Sequence, residues 1–129
     1  MADWTPDEHD RVGSAEELQI ASVRRDGTLS SWRTIWVVPA GDDICVRSVN
    51  GPGSAWFKGT RARHEGRIRA GGVEKDVTLV DLGDERDDEI DAAYRRKYGH
   101  YAAYIIDAIT SEQAASTTMQ LAPRPTRRD

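Results

Sequence analysis

The chain has 129 residues, 38% hydrophobic and 31% charged, a composition that supplies one hydrophobic core beneath a heavily charged surface. Its formal net charge of −4 argues against broad nucleic-acid binding, which needs a concentrated basic face. No apolar run approaches the roughly 18 residues of a membrane span, the start MADWTPDEHD lacks a secretory signal, and the single cysteine cannot form an internal disulfide, so a cytoplasmic protein is expected.

Pro6 after Thr5, and Ser14 followed three residues later by Glu17, predict two short helical turns over residues 6 to 18. Gln19 to Arg24 alternates and ends at the turn pair Asp26-Gly27, which predicts a first strand. Thr34-Ile35-Trp36-Val37-Val38-Pro39 is a continuous apolar, β-branched and aromatic run, as in a strand buried on both faces. Gly41-Asp42-Asp43 turns the chain into a third strand, Ile44 to Val49. That strand holds Cys45 in a setting that predicts a buried, inert thiol.

Strands are also expected over Glu65 to Ala70 and Val73 to Leu82, joined by Gly71-Gly72, where glycine accepts the positive φ angles of a tight hairpin. A helix from about Glu85 to Tyr98 is marked by Asp84 as its cap, acids in its first turns, bases in its last, and Gly99 at its end. Its buried stripe includes Tyr94, with the Lys97 stem covering apolar surface. Tyr101 to Ile109 suits either a helix or an extended strand. A short helical turn at Ser111 to Ala115 leads to a sixth strand, Thr117 to Leu121. Residues 1–123 then form a single domain and 124–129 a flexible tail rich in Pro and Arg. The expected class is α+β and mainly β: six antiparallel strands in a barrel with helices packed outside it.

The segment VRSVNGPGSAWFK, residues 46 to 58, holds the most informative grouping of chemistry. An apolar strand delivers Arg47 and Ser48 to a glycine-rich turn and then to a helix start, where free amide groups, Ser54, Lys58 and Arg47 suit an anion such as phosphate. The competing account is purely structural: Asn50-Gly51-Pro52-Gly53 turns the chain, Ser54 caps the helix and Arg47 pairs with one of the 22 acidic residues. If the site holds phosphate, Arg47 and Lys58 should converge on one pocket. Tyr94, Lys97 and Tyr98 either face a ligand cavity or pack as core and helix end. His9, His64 and His100 have no metal-ligand spacing, so no metal site is expected.

The run IASVRRDGTLSSWRTIWVVPAGDDICVRSVNGPGSAWFK resembles the opening of flavin-binding split-barrel proteins. The later RIRAGGVEKDVTLVDL, DAAYRRKYG and STTMQLAP sharpen the resemblance to the domain-of-unknown-function family 2255 within that superfamily, over about Ser14 to Pro123. The resemblance implies a split β-barrel and a homodimer with FMN or the deazaflavin F420 between subunits in those relatives that bind one. It further implies that Arg47, Ser48, Ser54 and Lys58 match positions that hold cofactor phosphate, with Trp36 or Trp56 bordering the ring. No catalytic residue carries over, since flavin chemistry resides largely in the cofactor. The sequence also departs from pyridoxamine-phosphate oxidases in lacking their recognisable substrate-binding C-terminal region. FMN, F420 or no cofactor at all is therefore compatible with these residues, with an oxidoreductase of a small organic molecule as one reading and a cofactor-free ligand-binding barrel as the other.

Overall fold

The computed structural model describes residues 4–124. Seven strands, β1 (Leu18–Ser22), β2 (Arg33–Ile35), β3 (Val38–Ala40), β4 (Asp43–Val46), β5 (Glu65–Ala70), β6 (Val73–Asp81) and β7 (Met119–Pro123), form one antiparallel sheet in the order β2-β1-β5-β6-β7-β4-β3. Five helices surround it: α1 (Pro6–Ser14), α2 (Ala55–Arg63), α3 (Asp87–Tyr98), α4 (Ala103–Ile109) and α5 (Glu112–Ala115).

The two ends of that order explain the shape. β2 and β3 lie at opposite edges of the sheet, yet only Trp36 and Val37 separate them in sequence. Ile35 and Val38 are three Cα steps apart, at most about 11 Å, so the sheet must curl until its edges nearly meet. The result is an α+β split barrel, closed covalently at the Trp36-Val37 joint.

The same joint accounts for seven strands where the sequence predicts six. The run Thr34 to Pro39 is broken because the backbone of Val37 bonds to side chains of α3 instead of a neighbouring strand. Its N–H donates to Tyr98 Oη at 3.2 Å, and its carbonyl accepts from Lys97 Nζ at 2.6 Å. The run is also not buried throughout, since Arg33 and Thr34 are exposed while Val37 and Val38 are fully covered.

Helix assignments shift for local reasons. Thr5 and Glu8, not Ser14 and Glu17, form the capping box of α1, and Ser14 is the last residue of that single helix. Arg86 occupies the N-cap position of α3, so Asp84 lies outside it, and Gly99 ends the helix in right-handed geometry. Residues 103–109 resolve as the helix α4, with Ile106 and Ile109 buried. At the β5–β6 hairpin both glycines have positive φ, 57° and 83°, and a Cβ on Gly71 would lie 2.1 Å from Arg11 O. The tail expected over 124–129 lies, beyond Arg124, outside the described residues.

Alternate residues feed two apolar layers. Leu18, Ile20, Ile44, Val46, Ile68, Leu79 and Leu121 fill the barrel interior with Phe57 of α2. Val38, Ala40 and Cys45 face outward against Ile90, Tyr94 and Tyr98 of α3 and Ile106 and Ile109 of α4. Burial pushes the Cys45 thiol up to about 12, so it stays neutral at physiological pH.

Candidate functional site

The split in the barrel opens a cleft of about 500 Å³ between the β2 side and the chain leaving β4. Trp36, Trp56, Ile105 and Ile109 supply its apolar walls, and Arg33 and Glu17 give it one cation and one anion. Its size and mixed lining suit a small organic ligand with a flat apolar body.

Five of the six residues singled out from the sequence, Arg47, Ser48, Ser54, Trp36 and Trp56, border this cleft. Lys58 does not. It is exposed beside Pro52, Phe57 and Arg61 around a separate hollow, so the expected convergence of Arg47 and Lys58 is corrected. Lys58 stands a full turn further along α2 than Ser54, and its side chain borders the hollow beside Pro52 and Arg61 instead of the cleft.

Arg47 is present at the cleft but is not free. Only 1% exposed, it donates to Asp91 Oδ1 at 2.5 Å, Thr118 Oγ1 at 2.9 Å and Ile109 O at 3.2 Å, and Asp87 Oδ1 lies 3.5 Å away. Its plane also approaches the buried Tyr94 ring, 5.6 Å from the centroid. The guanidinium is thus neutralised from the helical side and joins β4 to α3, α4 and β7.

The hydroxyl pair is likewise engaged. Ser48 Oγ donates its one proton to Gly51 O at 2.7 Å, which leaves Ser54 as donor in the 2.7 Å Ser48–Ser54 contact. Ser54 also makes no side-chain bond to the amides of α2. Gly51, with φ of 78°, is closely approached by Gln113, whose Nε2 donates to Asn50 O at 2.8 Å. What stays open is the start of α2: Lys58 N is the first of its amides bonded back, to Ser54 O at 3.1 Å, and no side chain caps those before it.

Behind Trp36 lies a built support. Tyr98 stacks on the indole with centroids 3.9 Å apart and planes 2° from parallel. Tyr98 Oη donates to Glu16 O at 2.8 Å, and Lys97 Nζ donates to Ala15 O and Val37 O, both at 2.6 Å. Burial lowers the Lys97 ammonium to about 8, with Glu16 acting in the opposite direction. Tyr94 and Tyr98 are fully buried and do not line the cleft, which selects core packing for that cluster.

Arg33, Glu17, Ile105 and Ile109 were not readable as cleft residues beforehand. Ile105 and Ile109 do share one helical face by their i, i+4 spacing. Arg33 and Glu17 carry no local signal, because only closure of the sheet brings them opposite Ser54. Among the described residues no group of three or more His, Cys, Asp or Glu side chains suits a metal, and no helix is long and apolar enough to cross a membrane.

A curled antiparallel sheet closed at the Trp36-Val37 joint, with an aromatic cleft at its split, defines a protein of the split β-barrel class. Within that class the chain belongs to the family described as "Uncharacterized protein conserved in bacteria (DUF2255)", whose model matches residues 8–121. No curated protein matches the sequence. Solved structures with similar folds include the following three. HutZ, a heme storage protein from Vibrio cholerae, has a TM-score of 0.64 and 15% identity, covering 96% of this chain and 92% of that one. An FAD-binding protein from Mesorhizobium loti has a TM-score of 0.60 and 12% identity, covering 96% and 93%. An F420 reductase has a TM-score of 0.55 and 14% identity, covering 92% and 93%. At these identities the likeness establishes the fold.

Proposed function

We propose that the chain binds a planar ring of the flavin or deazaflavin class in the cleft at its split and serves as an oxidoreductase for a small organic molecule. The observation that carries this reading is the joining, around one cleft of about 500 Å³, of Trp36, Trp56, the uncapped start of α2 and the exposed Arg33. The tryptophans give the ring apolar contact; the helix amides and Arg33 suit its anionic tail. Arg47 and Lys58 do not fit the phosphate role, the first being neutralised and the second facing elsewhere. Such a ring supplies hydride chemistry itself when bound. The residues of the chain bind it, orient it and screen it from water.

The similarity of this fold to those of an F420 reductase and an FAD-binding protein supports this reading. It includes a homodimer, with a second copy covering the cleft, and a cytoplasmic location. The test is thermal unfolding with saturating FMN and, separately, F420. A rise in Tm with either one is expected; no rise with both overturns the proposal.

A second reading has its own observation. Because Arg47, Ser48 and Ser54 are satisfied internally, the same cleft also suits an uncharged organic ligand handled without redox chemistry. A panel of neutral aromatic compounds that raises Tm where both cofactors fail would favour it.

A further inference from the structure

Trp36 is the cleft residue with the most elaborate support, and none of that support touches the cleft. Tyr98 covers one indole face and is itself 0% exposed. Its hydroxyl accepts from Val37 N–H and donates to Glu16 O, so it ties α3 both to the joint between β2 and β3 and to the segment before β1. Lys97, the preceding residue on α3, donates to the carbonyls of Val37 and Ala15 and thereby anchors the same two segments. Tyr101 flanks the pair, 5.1 Å from Trp36 and 6.1 Å from Tyr98, and its hydroxyl bonds to Glu16.

A break in a strand leaves backbone groups that need partners. Ordinary capping would satisfy them without stacking an aromatic ring on the residue beside the break. Here two neighbouring side chains of one helix satisfy both backbone groups of Val37, and one of them also stacks on Trp36. We infer that Tyr98, assisted by Lys97, is a positioning residue that presents the uncovered part of Trp36 as the platform on which the cleft's planar ligand stacks. This inference rests on the proposed ring-binding function and assigns the ring to Trp36 in preference to Trp56.

Riboflavin is the probe, since it carries the ring without the phosphate. Titration into the wild-type chain, followed by quenching of riboflavin fluorescence, gives the affinity and the degree of stacking. Tyr98→Phe keeps the ring stack but deletes the hydroxyl. It should weaken riboflavin about tenfold, the scale of one aromatic stacking interaction, and lessen the quenching of the ring that remains bound.

Trp36→Phe should weaken it by a similar factor, and the double variant should be little weaker than Trp36→Phe alone, because Tyr98 acts through Trp36. Affinity in Tyr98→Phe equal to wild type, or fully additive losses in the double variant, would overturn the inference while leaving the proposed function standing. If wild type binds none of riboflavin, FMN and F420, both fall. Should Tyr98→Phe fail to fold, as judged by circular dichroism, Lys97→Gln serves instead. It removes the ammonium yet leaves the stack, so unchanged riboflavin binding and quenching in Lys97→Gln likewise overturn the inference.

Discussion

Replacing Arg47 by Met separates a structural arginine from a phosphate-binding one. The side chain is 1% exposed and holds Asp91, Asp87, Thr118 and the Ile109 carbonyl together. Breaking a buried ion pair from one side costs about 3–5 kcal/mol, chiefly because the remaining charge is stranded. The stranded carboxylates here are 22% and 31% exposed, so water recovers part of that loss. A destabilisation of about 2–3 kcal/mol follows, against a total stability of about 5–15 kcal/mol for a domain. With a urea slope of about 2 kcal/mol per molar, the midpoint should fall by about 1–1.5 M.

FMN affinity of the folded fraction should stay within about twofold of wild type, since no free guanidinium is removed. Adding Asp91→Leu should restore part of the midpoint, as the unpaired charge is then gone. Arg33→Ala should do the reverse of Arg47→Met, leaving stability within about 0.5 kcal/mol of wild type, the usual range for a surface site, while weakening FMN more than riboflavin. Chemical denaturation paired with isothermal titration reads both quantities. A midpoint unchanged in Arg47→Met together with a tenfold loss of FMN binding would refute the structural assignment.

Native Cys45 should resist a thiol reagent at pH 8 and react stoichiometrically after unfolding in guanidinium, because it is 0% exposed and burial holds its thiol neutral; rapid labelling of the native chain would contradict its placement between β4 and α3. Glu8 is held below the ordinary 4.5, first by its bond with Lys75 and next by the Thr5 amide. Its contribution is therefore complete above that value and lost as pH falls through the lower folded value. Glu8→Gln should accordingly flatten the loss of stability in urea titrations between about pH 5 and pH 3, and an unchanged acid limb would count against the pair. Light scattering at low micromolar concentration should give twice 14.4 kDa for a homodimer, whereas a mass near 14.4 kDa would remove the second copy from the proposed site.

Much of the fold was legible because it is written locally. The Gly71-Gly72 hairpin, the acid-to-base gradient of α3, and the apolar runs of β4, β6 and β7 each need only neighbouring residues to be read. The break at Val37 was not legible, because Pro39 argues only for an edge position and nothing from Thr34 to Val38 disfavours continuous pairing; its cause is Tyr98 and Lys97, some sixty residues further on. The site was half legible for the same reason. The glycine-rich turn and helix start locate Ser48, Ser54 and Trp56, and local pattern shows Arg47 as a cation beside them. Its neutralisation depends on which of the acids of α3 face β4, and i, i+4 spacing puts Asp87 and Asp91 on one face without saying that β4 lies opposite. Arg33 and Glu17 reach the cleft only because β2 returns to the far edge of the curled sheet.

The central claim is that the cleft accepts a flavin-class ring, and equilibrium dialysis of the purified chain against FMN or F420, read by absorbance from 300 to 500 nm, tests it most directly. The account predicts excess cofactor on the protein side, saturating at one ring per chain, with the bound band shifted from that of the free ring. Equal concentrations of both cofactors on the two sides of the membrane, with no shifted band, would contradict it.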